Sequence, residues 1–469
     1  MKSFRIRQIK PFKLEKRMKS KFWSILVVLA VVASLMTACA PKATPTLEPT
    51  AAPATAQAAT TVPVPTTAPA PAGVTKITMW SHAAGNDTEL TVLKDSINLF
   101  NSTNDKYYVV LNAFPQASYN DSVAAGAVAG SLPDIIDMDG PTVSNFAWSK
   151  YIQPLPITQD DVKTMGILSS DVGEYDGKIY SMGEFDVALL IFGRKSILNQ
   201  FNIRIPTLDK PWTKDEFMAA LDTLKASKKF QYAIDVNPNW TGEWWPYAYS
   251  PMLQSFGGDL IDRKTYSTAD GVLNGPEALA WGQWFQGLFK NGYANPNPAD
   301  NNGFLQGTIP LWYTGSWSAN DVTTKWGDDA LFLPAVDFGK GPKIGAGSWE
   351  WGISANSKHA DGAWEFIKFL MAPEQVAAMS KATGLIPTTP AAAELTDNYK
   401  TDGPYRVFYD MLAAFAVIRP PTPGYLIISS AFEKAGTAIR DGNDAQNALD
   451  DAVDKIDQDI KDHNNYGFK

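Results

Sequence analysis

At 469 residues with 45% apolar content, the chain is too long for one ordinary domain and rich enough in core formers for two lobes with appendages. Residues 1–38 hold 9 of the 41 Lys and Arg against one acid, Glu15, so the remainder carries 32 basic and 48 acidic residues, a formal net of 32 − 48 = −16. No basic stripe survives to neutralise phosphates, which argues against nucleic acid, and His82, His359 and His463 are scattered with no metal-ligand spacing, which argues against zinc or iron and leaves no cofactor to expect.

In chain order, the first element is a secretory signal. "MKSKFWSILVVLAVVASLMTACA", from Met18, has a basic head, 17 mostly apolar residues from Phe22 to Ala38, and small residues before Cys39. Met1 and Met18 stand equally as the start. "LMTAC" resembles the bacterial lipobox, with Met36 where leucine is usual, and this implies a lipid on Cys39, the chain's one cysteine. Residues 39–73 are then rich in Pro, Ala and Thr with almost no charge, a composition that cannot bury enough apolar surface to fold and reads as a tether from membrane to domain.

From Val74 onward, strand patterns alternate with helical ones. "VTKITMW", "YYVVLNAF" and "PDIIDM" alternate as strands; "DTELTVLKDSINLFN" places Leu90, Leu93 and Ile97 at helical spacing, and "SYNDSVAAGAVAGS" reads as a small-residue helix. This predicts βαβ units and a largely parallel sheet, with ligands at the carboxyl ends of its strands. "TKDEFMAALDTLKASKK" opens with Thr213 and Glu216 at capping-box spacing, and "DGAWEFIKFLMAP" buries Ala363, Phe366, Ile367 and Leu370 before Pro373 begins another helix that Gly384 ends. The tail "DAQNALDDAVDKIDQDIKDH" is an amphipathic helix with an acidic outer face.

The order of "GSLPDIIDMDG", "YIQPL", "YDGKIYSMGEF", "LIFGRKSIL", "PWTKDEF", "FGGDL", "GTIPLWYTGSW" and "GISANSKHADGAWEFIKFLMAPEQ" followed by "ATGLIP" resembles the extracellular solute-binding proteins of family one. These are the maltose-type sugar receptors of bacterial ABC importers. The resemblance spans nearly 400 residues and implies an α/β, two-lobed periplasmic-binding-protein-like (type II) clamp with three hinge crossings, near 184–187, 333–336 and 384–387. Lobe one would be 74–185 with 335–383, and lobe two 186–334 with 384–469. It also implies a monomeric receptor without chemistry of its own, anchored outside the cell, that captures a sugar or oligosaccharide and hands it to the transmembrane subunits of an ABC permease.

A pyranose offers hydroxyls at its edge and C–H faces above and below, so its site needs planar acids or amides and aromatic plates. Trp80, Ser81 and His82 end the first strand, and alternation puts Asp137 and Asp139 on one side of the third. The resemblance brings Asp186 in the first crossing to sugar hydroxyls; for Asp139 and Asp186 a helix cap or a hinge salt bridge is the competing reading. In "NPNWTGEWWPY" it favours Glu243 and Trp244 as contacts, with Trp240 beside them and Trp245 in the core, and it makes Trp317 a stacking ring. In "GSWEWG", Trp349 is read as a plate across from Trp317 and Trp244, with Glu350 or Trp351 turned to the other side; a plain core strand is the alternative. The family's last aromatic is not clearly matched at "PGYLIISSAF", where Tyr425 stands. Two other functions remain open. A secreted glycoside hydrolase would need two carboxylates about 5 to 9 Å apart, and Asp139, Asp186, Glu243 and Glu350 offer candidates. A receptor for a polyol, glycerol phosphodiester or peptide is the other, although phosphate calls for Arg or Lys and these loops contain neither.

Overall fold

The computed structural model describes residues 72–467, so the signal segment, Cys39 and nearly all of the tether lie outside the described residues. In chain order the strands are β1 (Thr75–Ala84), β2 (Tyr107–Pro115), β3 (Ile135–Asp139), β4 (Ile152–Gln153), β5 (Val172–Tyr175), β6 (Lys178–Met182), β7 (Phe185–Asp186) and β8 (Leu189–Arg194). There follow β9 (Ile234–Asp235), β10 (Leu311–Gly315), β11 (Ala330–Leu333), β12 (Ile344–Ala346), β13 (Trp349–Ser354), β14 (Ile386–Pro387) and β15 (Ala416–Ile418).

The first sheet has the order β2-β1-β3-β13-β6-β5, with β4 beside β13. Its β2, β1 and β3 are parallel, as the alternating pattern predicts. The rest of the sheet departs from that expectation: β13 arrives from far along the chain and runs antiparallel to β3, β6 and β4. Strands β5 and β6 form a hairpin through Asp176 and Gly177, both at positive φ, the geometry of a tight antiparallel turn. The second sheet, β11-β8-β10-β9, is antiparallel except between β10 and β9.

Each sheet has helices and a core on both faces. Beneath the first, Ile77, Met79 and Val109 meet Leu93, Ile97 and Phe100 of the helix Asp87–Thr103 and Phe366 and Ile367 of the helix Ala360–Leu370. On β8 successive residues part company. Leu189 and Ile191 face Trp245, Tyr249 and Trp281, while Leu190 and Phe192 face Trp312, Tyr399 and Phe408. That is the pattern of a strand covered on both sides. The helix Lys214–Ala226 opens on the capping box that Thr213 and Glu216 predict, and Pro373–Thr383 ends at Gly384 in the left-handed region.

Between the sheets lies a two-residue ribbon in which Asp186 pairs with Ile386 and Phe185 with Pro387. The chain passes from β6 through β7 into β8 of the second sheet, and from β11 through β12 into β13 of the first. Ile344 and Ala346 of β12 pack with the core of the second sheet. Phe185, Met379 and Leu385 form a small apolar cluster at the ribbon.

Candidate functional site

Strand β3 is buried throughout, and its alternation separates Ile136 and Met138 from Asp137 and Asp139. Its register with β13 sets Trp349 opposite Asp139 and Trp351 opposite Asp137. Asp137 accepts from the backbone N–H of His82 at 3.2 Å and lies 2.5 Å from the His82 ring at Nδ1. Trp349 lies flat on that ring, centroids 3.8 Å apart and planes 11° from parallel.

Asp139 takes a two-pronged ion pair from Arg419, at 2.9 and 2.6 Å. The same guanidinium reaches Glu243 at 2.7 Å, just ahead of the helix Trp244–Phe256 that packs on the second sheet. Glu243 also accepts from the Tyr425 hydroxyl at 2.5 Å and from Ser429. Burial raises the Asp139 carboxyl, although the Arg419 charge draws it back down. Arg419 itself is held well above its usual value, because Asp139 and Glu243 outweigh the cost of its burial.

Four aromatic rings gather on the second sheet's side. Trp317 lies 6.3 Å from Trp240 and 6.4 Å from both Trp244 and Tyr247, centroid to centroid. Trp240 stands edge-on to Trp244 at 4.5 Å and donates from Nε1 to Asn301 at 3.0 Å. Trp317 and Trp349 both pack against the Phe185, Met379 and Leu385 cluster, one reaching it from the second sheet and one from the first.

Residues 96–406 match the family described as bacterial extracellular solute-binding protein, about two thirds of the chain. The chain belongs to the bacterial extracellular solute-binding proteins. Its fold is two-lobed and α/β, similar to solved sugar receptors. The GacH receptor of Streptomyces glaucescens, solved unliganded and with acarbose, superposes with a TM-score of 0.70 at 20% identity, over 83% of this chain and 99% of that one. The cyclic α-maltosyl-1,6-maltose binding protein of Arthrobacter globiformis gives 0.69 at 22% identity, over 83% and 100%. Lmo0181 of Listeria monocytogenes, solved with cycloalternan, gives 0.67 at 18%, over 84% and 100%. Identities this low carry the fold. The family and these relatives are binding proteins rather than enzymes, and no helix among the described residues is long and apolar enough to cross a membrane.

In this solute-binding protein the other anticipated residues take different places. Trp80 packs on Phe114 at 4.9 Å and beneath Gly126, where an added Cβ would come within 3.1 Å of its ring. Ser81 is buried and accepts from the Ala83 N–H. Trp245 is fully buried, as expected of a core ring. Trp244 is also buried, its Nε1 donating to Tyr249 at 3.1 Å.

Asp186 is buried and accepts from Ser170 at 2.5 Å, Val187 N–H at 2.6 Å and Gly347 N–H at 2.9 Å. It thereby joins the first crossing to the segment entering β13. Burial pushes its carboxyl up to about 6 despite those donors. Glu350 turns away from Trp349, accepts from Ser181 at 2.6 Å, and is pushed by burial up to about 8. Glu184, which accepts from Trp351 at 3.1 Å, reaches about 8 for the same reason.

Arg419, Glu89 and Tyr119 escape the sequence reading, and Arg419 supplies the cation that the inspected loops lack. Its partners Asp139 and Glu243 lie 280 and 176 residues away. The one local signal is an arginine flanked by Ile418 and two prolines, where a solvated side chain would not need so rigid a mount.

Proposed function

We propose that this solute-binding protein captures a sugar or oligosaccharide between its two lobes. The supporting observation is the placement of Trp349 and Trp317 against one hinge cluster from opposite sheets. Flat rings on both sides suit the C–H faces of pyranoses, and Glu243 and Asp139 offer acceptors for hydroxyls, while Asp137 is fully buried against His82. The four terminal N–H groups of Arg419 are directed at Asp139, Glu243 and the Gly347 carbonyl, which leaves the cleft poorly equipped for a phosphodiester.

On this reading lobe one comprises 74–185 with 347–383 and lobe two 186–334 with 384–469, while residues 335–346, which the sequence assigns to lobe one, pack with the second sheet and shift the middle crossing to the segment just before β13. Closure about the β7 and β14 ribbon favours the bound state by contacts that exist only when the cleft is shut. Lipid on Cys39 holds the monomeric receptor at the outer face of the cell membrane, the Pro/Ala/Thr tether gives it reach, and an ABC permease receives the cargo.

A thermal-shift screen against mono-, di- and oligosaccharides, polyols, phosphodiesters and short peptides tests the substrate class, because a ligand that binds the native state raises the melting point. A rise with one group of saccharides is expected; a response to phosphodiesters or peptides alone overturns the sugar reading. Cys39→Ser is expected to release the protein from the membrane fraction, and continued retention refutes the lipid anchor.

A further inference from the structure

Both ring nitrogens of His82 end on carboxylates: Nδ1 lies 2.5 Å from Asp137 and Nε2 lies 3.3 Å from Glu89. An imidazole can serve two acceptors as donor only when both nitrogens carry hydrogen. Neither acid is free to drift. Asp137 also binds the His82 backbone N–H, and Glu89, in the first turn of the helix Asp87–Thr103, accepts from Asn86 Nδ2 at 2.8 Å. One face of the ring is covered by Trp349. Tyr119 meets the same indole edge-on at 5.7 Å, while its hydroxyl donates to the Asp137 carbonyl at 3.0 Å.

We propose that His82 is a positioning residue, an imidazolium that sets the plane of the Trp349 ring for the ligand and so ties affinity to pH. The proposal rests on Trp349 being one of the sugar plates. With both nitrogens and one face engaged, His82 acts through Trp349 and does not touch the ligand. A cation over an indole face is attracted by the ring quadrupole, and more strongly when water is excluded. A plate fixed beforehand loses less freedom on binding.

The groups facing His82 are Asp137 and Asp139 on β3, Glu89 on the Asp87–Thr103 helix, Tyr119 on the helix Gln116–Ala129 and Trp349 on β13. Burial alone would lower the proton affinity of His82; the charge and hydrogen bond of Asp137, aided by Glu89 and Asp139, outweigh it and hold the ring above the usual histidine value. The imidazolium therefore persists to higher pH than that of an ordinary histidine and is lost as pH rises through that raised value. The neutral ring keeps one donor for two carboxylates, and its grip on the indole plane loosens.

The test is tryptophan fluorescence of the ligand-free full chain, titrated from mildly acidic to alkaline pH as the difference between wild type and Trp349→Phe. A protonated imidazole quenches an indole stacked on it, so the Trp349 emission should rise as His82 loses its proton. The rise should vanish in His82→Phe, which keeps a ring but no charge. The dissociation constant for maltotriose should weaken over the same pH interval in wild type and stay flat in His82→Phe. Absence of the wild-type transition, which needs no His82 variant to fold, overturns the proposal, as does its persistence in His82→Phe. If the transition is present but Trp349→Ala leaves maltotriose binding unchanged, the stack is upheld and the sugar-plate reading is what falls.

Discussion

Arg419 and Asp139 form a buried two-pronged ion pair across 280 residues of chain, and the same guanidinium holds Glu243 beside the second sheet. One cation thus neutralises acids contributed by both halves of the cleft. Arg419→Met would leave Asp139 without its partner in a buried site, a change that typically costs about 3–5 kcal/mol. The melting temperature should fall, and fall further at pH 8 than at pH 5, because acid lets the stranded carboxylate take up a proton. Equal losses at both pH values would mean that Asp139 is not the group left exposed.

Trp317 is half-buried, within 6.4 Å of three other aromatic rings and in contact with the hinge cluster. Trp317→Ala should weaken the best saccharide from the thermal screen by about 1–3 kcal/mol, the loss expected for one aromatic contact surface. Titration calorimetry reads this directly. Unchanged affinity would remove Trp317 from the site.

Glu350 carries a carboxyl raised from 4.5 to about 8 by burial. A group whose folded value lies above its unfolded one favours folding while protonated. That contribution is complete below about 4.5 and is lost as pH rises through about 8. Glu350→Gln stays neutral throughout, so the variant should be more stable than wild type at pH 9 by something on the order of a few kcal/mol, with the advantage shrinking towards pH 5. Melting curves across that range check it, and parallel curves would refute it. Glu184, also at about 8, and Asp186, at about 6, add slopes of the same sign.

Gly436 lies inside the helix Tyr425–Arg440, where alanine would ordinarily be the better helix former by about 1 kcal/mol. An added Cβ would sit 2.5 Å from the fully buried Trp245 ring. Overpacking of that kind costs about 1–3 kcal/mol, so Gly436→Ala should lower the melting temperature despite its helix propensity. A stabilised variant would show that Trp245 has room to move.

Local signals were the ones the sequence carried well. The Thr213 cap needs only Glu216 three residues on, and the β13 alternation separates Glu350, bound to Ser181, from Trp351, bound to Glu184. Asp137 and Asp139 sharing a side follows from the period of a strand. Contacts between distant segments were not legible. Arg419 has no periodic reason to be buried, and its role exists only because the turn after β15 meets β3 and the start of the Trp244–Phe256 helix. The expectation of a largely parallel sheet failed where strands came from a tight hairpin or from a late segment, neither of which the alternation of strand and helix can announce.

The position of β13 also sets an order of events. Residues 349–354 lie between β3 and β6, so a chain that has emerged only as far as residue 340 has two of its central strands without the neighbour that joins them. Pairing across such separations is slow to form. The first sheet therefore cannot be completed until residues 349–354 have been made, which ties its closure to a late segment of the chain.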